Sequence, residues 1–193
     1  MNKIAIFASG SGSNAEQIIR YFSGDPETRV AVVLSNKKGA FVLERARVLG
    51  VPTLVFDRQQ FYQSNFVPDY LHSLGVNLVV LAGFMWLVPS ALLEAFPGRI
   101  LNIHPALLPA FGGKGMYGHH VHEAVIASGM KRSGITIHLV DEVYDHGSTL
   151  FQAECEVMPD DTPDSLACRI HELEHRHYPE QIKRFLQSLD ARF

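Results

Sequence analysis

The sequence predicts an α/β fold: a Rossmann-like, mainly parallel sheet flanked by helices, with an antiparallel extension in the C-terminal half. Three observations carry this. Continuous apolar runs such as Val30–Leu34 and Leu78–Ala82 read as strands covered on both faces. Stretches with helical spacing separate those runs, as in βαβ units wound right-handed. After His104 the alternation stops, and a glycine-rich loop leads to two further strand-like runs.

The elements follow in order. Lys3–Ala8 is a short apolar strand ended by a glycine cluster, and Asn14–Phe22 carries Ala15, Ile18, Ile19 and Phe22 at helical spacing. Val30–Leu34 is the second strand. Val42–Leu49 reads as a helix with Gly50 placed to end it. Thr53–Phe56 is a short strand. Gln59–Leu74 has a helical pattern that Pro68 is expected to kink or split. Leu78–Ala82 is the strongest strand signal, Pro89 opens a short helix reaching Phe96, and Ile100–His104 is the next strand. Pro105–His120 is a long loop containing Gly112, Gly113, Gly115 and Gly118, and loops of that length are functional or disordered. Val121–Ser128 is a short helix, and Gly134–Val140 and Thr149–Val157 form the antiparallel extension. Thr162 caps a last helix whose first residue is Pro163.

A chain of 193 residues, 47% hydrophobic and 19% charged, is long enough for one domain with its own core. The net charge of -3 provides no positive field for nucleic acid or an anionic membrane. Cys155 and Cys168 form no CxxC pair and read as small buried residues in a reducing compartment. No signal peptide or membrane span is evident, so a soluble, cytoplasmic protein is expected.

The loop Ser9-Gly10-Ser11-Gly12-Ser13-Asn14-Ala15 joins a strand to a helix, where free amides bind anions. Gly10, Gly12 and Ala15 also satisfy the dinucleotide fingerprint. The second strand, however, ends in Ser35-Asn36-Lys37-Lys38 and lacks the acid that holds the ribose of NAD. NADP remains open, and a single terminal phosphate fits the hydroxyls and amides at least as well. His171-Glu172-Leu173-Glu174-His175 matches a zinc-hydrolase pattern. Yet Leu166, Ile170, Leu173 and His177 form the apolar stripe, so His171 and His175 are expected to face water, with Glu174 on the flank. His119, His120 and His122 read as a solvated loop and helix start.

Asn102 and His104 alternate along the strand, so they share a face at its carboxyl end, where open α/β sheets bind ligands. A carboxamide and an imidazole together suit acyl-type chemistry, one holding an oxyanion and the other moving a proton. Asp141, Glu142 and Asp145 all lie where a carboxylate could tune the histidine, and spacing does not choose among them.

Together, ASGSGSN, SNKKGAFVLERARVLGV, VVLAGFMWLVP, LNIHPALLPAF, HLVDEVYDHG and Glu174-His175 ahead of Tyr178-Pro179 resemble the folate-dependent formyltransferase family, over nearly the whole chain. The resemblance implies formyl transfer from 10-formyltetrahydrofolate to the amine of glycinamide ribonucleotide in purine biosynthesis. It implies that Gly12, Ser13 and Asn14 hold the substrate phosphate and that Glu174 bonds the ribose. Arg58, Met85, Trp86, Leu87, Val88, Asn102, Val140, Asp141, Glu142, Val143 and Tyr144 would line the folate site. It selects Asp145 as the catalytic carboxylate beside Asn102 and His104, raising the pKa of a protonated His104. It implies one domain, 1–193, with a phosphate- and substrate-binding half (1–100) and a catalytic and folate-binding half (101–193). The expected partners are small molecules, without metal, nucleic acid or membrane, in a monomer or homodimer. Trp86 stands where many relatives carry a basic residue, and His146 where glycine is common.

Overall fold

The computed structural model describes residues 1–190. Strands β1 (Asn2–Phe7), β2 (Thr28–Ser35), β3 (Thr53–Val55), β4 (Leu78–Leu81) and β5 (Ile100–His104) run parallel, while β6 (Arg132–Leu139) and β7 (Thr149–Glu156) add to them antiparallel. The sheet order is β3-β2-β1-β4-β5-β6-β7. The helices are α1 (Ser13–Tyr21), α2 (Phe41–Val48), α3 (Arg58–Tyr62), α4 (Phe66–Ser73), α5 (Ser90–Ala95), α6 (His119–Ala127) and α7 (Pro163–Asp190).

Alternate residues of each parallel strand enter opposite cores, which is why these strands read as unbroken apolar runs. Ile4, Ile6, Val33, Val80, Leu101 and Ile103 pack under α1, α2, α6 and α7. Ala5, Phe7, Val32, Leu34, Val79 and Leu81 pack under α3, α4 and α5. On this second face the helical cover stops before β6, and the loops 105–118 and 140–148 lie at the ends of β5 and β6 instead.

Three expectations change. The helical stretch 59–74 does divide, but at Gln63–Asn65. Pro68 sits in the first turn of α4, where an amide has no intrahelical acceptor, so the proline is accommodated without a kink. Asp57 starts α3 instead, in a capping box with Gln60. Pro89 is the N-cap of α5 and not its first residue. On α7 the buried stripe is Leu166, Ile170, Glu174, Tyr178, Ile182 and Leu186, so Glu174 lies in the stripe while Leu173 and His177 flank it. Thr162 does cap α7, accepting from the Ser165 amide at 3.2 Å. The fully buried Tyr178 hydroxyl reaches the carbonyls of Leu81 (3.0 Å) and Leu101 (3.3 Å), near the ends of β4 and β5.

Candidate active site

One cleft of about 580 Å³ opens at the carboxyl ends of β1, β4 and β5, where the sheet order reverses. Its first wall is the turn between β1 and α1. Gly12 has φ 76°, and a Cβ there would lie 2.3 Å from Val42 Cγ2 and 2.8 Å from Val42 Cα. Only glycine lets the turn pass this close to α2 while presenting the first amides of α1, which have no intrahelical acceptors. Positive potential at that helix end favours an anion there. Asn36, at the place where a dinucleotide fold puts its ribose-binding acid, is occupied by the Ser9 hydroxyl at 2.8 Å. Lys37 and Lys38 lie outside the lining.

Glu174 rises from α7 into this end, 5% exposed. Asn14 Nδ2 donates to its Oε2 at 2.8 Å, while Asn14 Oδ1 is buried without a partner. Burial pushes the Glu174 carboxyl up to about 7 despite that hydrogen bond.

The centre of the cleft is built by pairing β5 with β6. Asn102 faces His138 and His104 faces Thr136 across the antiparallel ladder, so all four side chains share one face. Asp145, at φ 55°, comes back over them from the loop after β6. Its Oδ2 is 3.5 Å from His104 Nδ1 and accepts the Gly113 amide at 2.9 Å. Its Oδ1 is 3.5 Å from Asn102 Nδ2 and 3.6 Å from His138 Nε2. The structure thus brings Asn102, His104 and Asp145 together, while Asp141 turns to His146 at 2.9 Å and Glu142 is exposed.

Burial holds the His104 imidazole below its usual value, and the opposing pull of Asp145 and of the Phe111 carbonyl does not overcome it. Asp145 pulls the His104 pKa up, as expected, but with 3% of the residue's surface exposed desolvation outweighs that pull. His104 Nε2 lies 2.7 Å from the Phe111 carbonyl, so its N–H donates there. Burial likewise pushes the Asp145 carboxyl up, but His138, His104 and the Gly113 amide together hold it below the ordinary aspartate value.

The far end is apolar. Met85, Trp86, Leu87, Val88, Val140, Asp141, Val143 and Tyr144 line it, but Arg58 and Glu142 do not. Arg58 stands over the rings of Trp86 (5.3 Å) and Tyr62 (5.7 Å), a cation–π pair behind the wall.

The histidine-rich motifs follow the sequence expectation only in part. His171 lines the cleft, and it stacks on His175, whose Nε2 is buried without a partner. His171 is exposed, as expected, while His175 is half-buried because α7 leans against α1 and α6. His119 and His120 do pair with Glu123 at the surface, but His122 is 3% exposed, lines the cleft, and is held down to about 4 by burial. Among the described residues no His, Cys, Asp or Glu cluster could hold a metal ion. Sequence reasoning missed His138, the Phe111 carbonyl and the Gly113 amide. Only His138 left a signal, its alternation with Thr136, and that signal acquires meaning only once β6 is paired with β5.

Residues 2–182 match the formyl transferase family. A protein of Arabidopsis thaliana named phosphoribosylglycinamide formyltransferase, chloroplastic, is 46% identical over 186 residues, covering 93% of this chain. This chain spans only 64% of that plant protein's length. The Haemophilus influenzae phosphoribosylglycinamide formyltransferase is 38% identical, with 97% of this chain and 89% of that one covered. The crystal structure of glycinamide ribonucleotide transformylase 1 from Symbiobacterium toebii superposes with a TM-score of 0.88 at 41% identity, covering 97% of this chain and 89% of that one.

Proposed function

This chain belongs to the formyl transferase family, and we propose that it transfers the formyl group of 10-formyltetrahydrofolate to the amine of glycinamide ribonucleotide, a step of purine biosynthesis. The observation that carries this reading is the order of groups along one cleft. An anion-binding helix end with Glu174 lies at one side, Asn102, His104 and Asp145 lie in the middle, and an apolar wall lies at the other. A phosphorylated amine and a flat heteroaromatic donor entering from the two sides would meet at the middle.

In this reading Gly12, Ser13 and Asn14 hold the phosphate, Glu174 the ribose hydroxyls, and the Trp86 and Tyr144 walls the folate ring. The amine nitrogen forms a bond to the formyl carbon, and the carbonyl electron pair moves to oxygen. Asn102 stabilises that oxyanion, and so does His104 once it has taken up the amine proton, each such donor being worth about 3 kcal/mol. The carbon–nitrogen bond to folate then breaks, and the proton lost by the amine ends on the departing nitrogen. His104 enters neutral and so can take that proton, while Asp145 balances the imidazolium that forms. Holding both substrates in contact supplies much of the remaining acceleration. No covalent enzyme intermediate and no metal are required.

Both halves of the chain contribute to each end of the cleft. We hold the enzyme to act in the cytoplasm, as a monomer or homodimer, in keeping with its free thiols at Cys155 and Cys168. No helix of the described residues is long and apolar enough to cross a membrane. The test is turnover: protein mixed with glycinamide ribonucleotide and a 10-formyl folate, with deformylated folate followed by absorbance. Release of folate that depends on the amine is expected. Folded protein that gives no release, or gives release without the amine, overturns the reading.

A further inference from the structure

We propose that His138 is the positioning residue that decides which end of the Asn102 carboxamide meets the substrate, by carrying a hydrogen on Nε2 only when Asn102 holds the oxyanion. The inference rests on the role given to Asn102 above.

The hydrogen-bond polarity around His138 is determined from both sides. The ring is 2% exposed, and its Nδ1 lies 2.8 Å from the Leu139 carbonyl oxygen, which can only accept. Nδ1 therefore carries the hydrogen, and Nε2 of the neutral ring is an acceptor. Nε2 lies 3.1 Å from Asn102 Nδ2, which can only donate. The second Nδ2 hydrogen is directed to Asp145 Oδ1 at 3.5 Å. Both amide hydrogens of Asn102 thus turn away from the reacting centre. Its Oδ1 takes no hydrogen bond from the described residues and is not among the buried unpartnered atoms, so it is the acceptor end that Asn102 turns to the open cleft.

A carboxamide oxygen facing an oxyanion is repulsive. For Asn102 to donate, its amide must turn over, which sets Oδ1 against His138 Nε2 and close to Asp145 Oδ1. That arrangement is stable only with a hydrogen on Nε2. Moving the hydrogen across from Nδ1 would leave a bare nitrogen lone pair facing the Leu139 oxygen. Gaining a second proton satisfies both sides: Nδ1–H keeps Leu139, Nε2–H meets Asn102, and the Asp145 carboxylate at 3.6 Å balances the charge. The other titratable groups facing His138 are His104 from β5 and Asp141 from the loop after β6. Its β7 neighbour, Thr149, is uncharged, and α7 packs on the opposite face of β6, against Ile135 and Ile137. The proton comes from solvent as the tetrahedral centre forms and returns to solvent on product release. No bond other than the Nε2–H bond changes at His138.

The test reads the ring nitrogens directly, by NMR of protein labelled with 15N-histidine. In the free protein His138 is expected with Nδ1 protonated and Nε2 bare. In a complex with a folate analogue bearing a non-transferable aldehyde, whose hydrate mimics the tetrahedral centre, both nitrogens are expected to be protonated. A protonated Nε2 in the free protein, or a bare one in the complex, overturns the proposal. In parallel, His138→Ala should lower kcat about 10–100-fold with little change in either KM. His138→Gln, which can donate or accept at the same place, should recover most of that loss. Equal losses in the two variants, or a loss confined to KM, would also overturn it. The free-protein spectrum needs no turnover, so a failure of the formyl-transfer reading is distinguishable from a failure of this one.

Discussion

Two parts of the cleft, one end and the centre, handle charge by different means. At the β1–α1 turn the backbone does it: Gly12 brings unpartnered amides to the surface, and the dipole of α1 adds to them. At the β5–β6 pair the side chains do it, with His104 and His138 buried, Asn102 and Asp145 half-buried, and all four holding one another. A backbone site depends on conformation and has no titration of its own. A side-chain site is strong because it is dry, and it depends on which of its members carries a proton. Glu174 stands at the end yet behaves like the centre, since its carboxyl is forced up by burial.

The largest expected effect removes the side-chain centre. His104→Ala should lower kcat about 1,000-fold while leaving nucleotide binding at the Gly12 end intact, as measured by steady-state rates beside calorimetric binding. A matching loss of nucleotide affinity would break the division between the two parts.

Next in size is Glu174→Gln. The folded carboxyl titrates near 7 against the ordinary 4.5, a shift worth about 3 kcal/mol. The sign follows from a raised folded pKa. The native state is not penalised below the unfolded value, and stability is lost as pH rises from there through about 7. Chemical denaturation should show the variant equal to the parent near pH 4 and more stable near pH 8. Equal stability at both would show that Glu174 is ionised in the fold without penalty, and would sharpen the backbone character of that end.

The smallest effect is Gly12→Ala, about 2 kcal/mol of stability from positive φ and the clash with Val42. It should weaken phosphate binding and leave the His104 surroundings unchanged. Unaltered phosphate affinity would mean that side chains bind the anion after all.

The contrast also explains what could be read in advance. Strands such as Leu78–Leu81 were legible because burial on both faces leaves no polar position in the run. The Gly12 turn was legible because backbone sites need particular residues in consecutive order. The α3–α4 break was not, because Pro68 is harmless in a first turn and only the observed Asp57 cap shows where the helix begins. The place of Glu174 in the α7 stripe was obscured because an acid does not announce itself as core. His104 lies next to Asp145 as expected, but whether a carboxylate or desolvation wins is a contest over solvent that residue types alone do not decide. His138 needed the β5–β6 register, a long-range fact that no local pattern contains.

Tyr178 has a consequence for how the two parts stay in step. A phenol has one hydrogen, and here it is shared between the carbonyls of Leu81 and Leu101. Leu101 adjoins Asn102, Leu81 leads into the Gly83–Val88 wall, and Glu174 lies one turn earlier on the same helix as Tyr178. The shared proton therefore acts as a gauge block set between helix and sheet. It fixes the distance from the Glu174 carboxyl to Asn102 and its partners, so that helix and sheet hold the two groups in register.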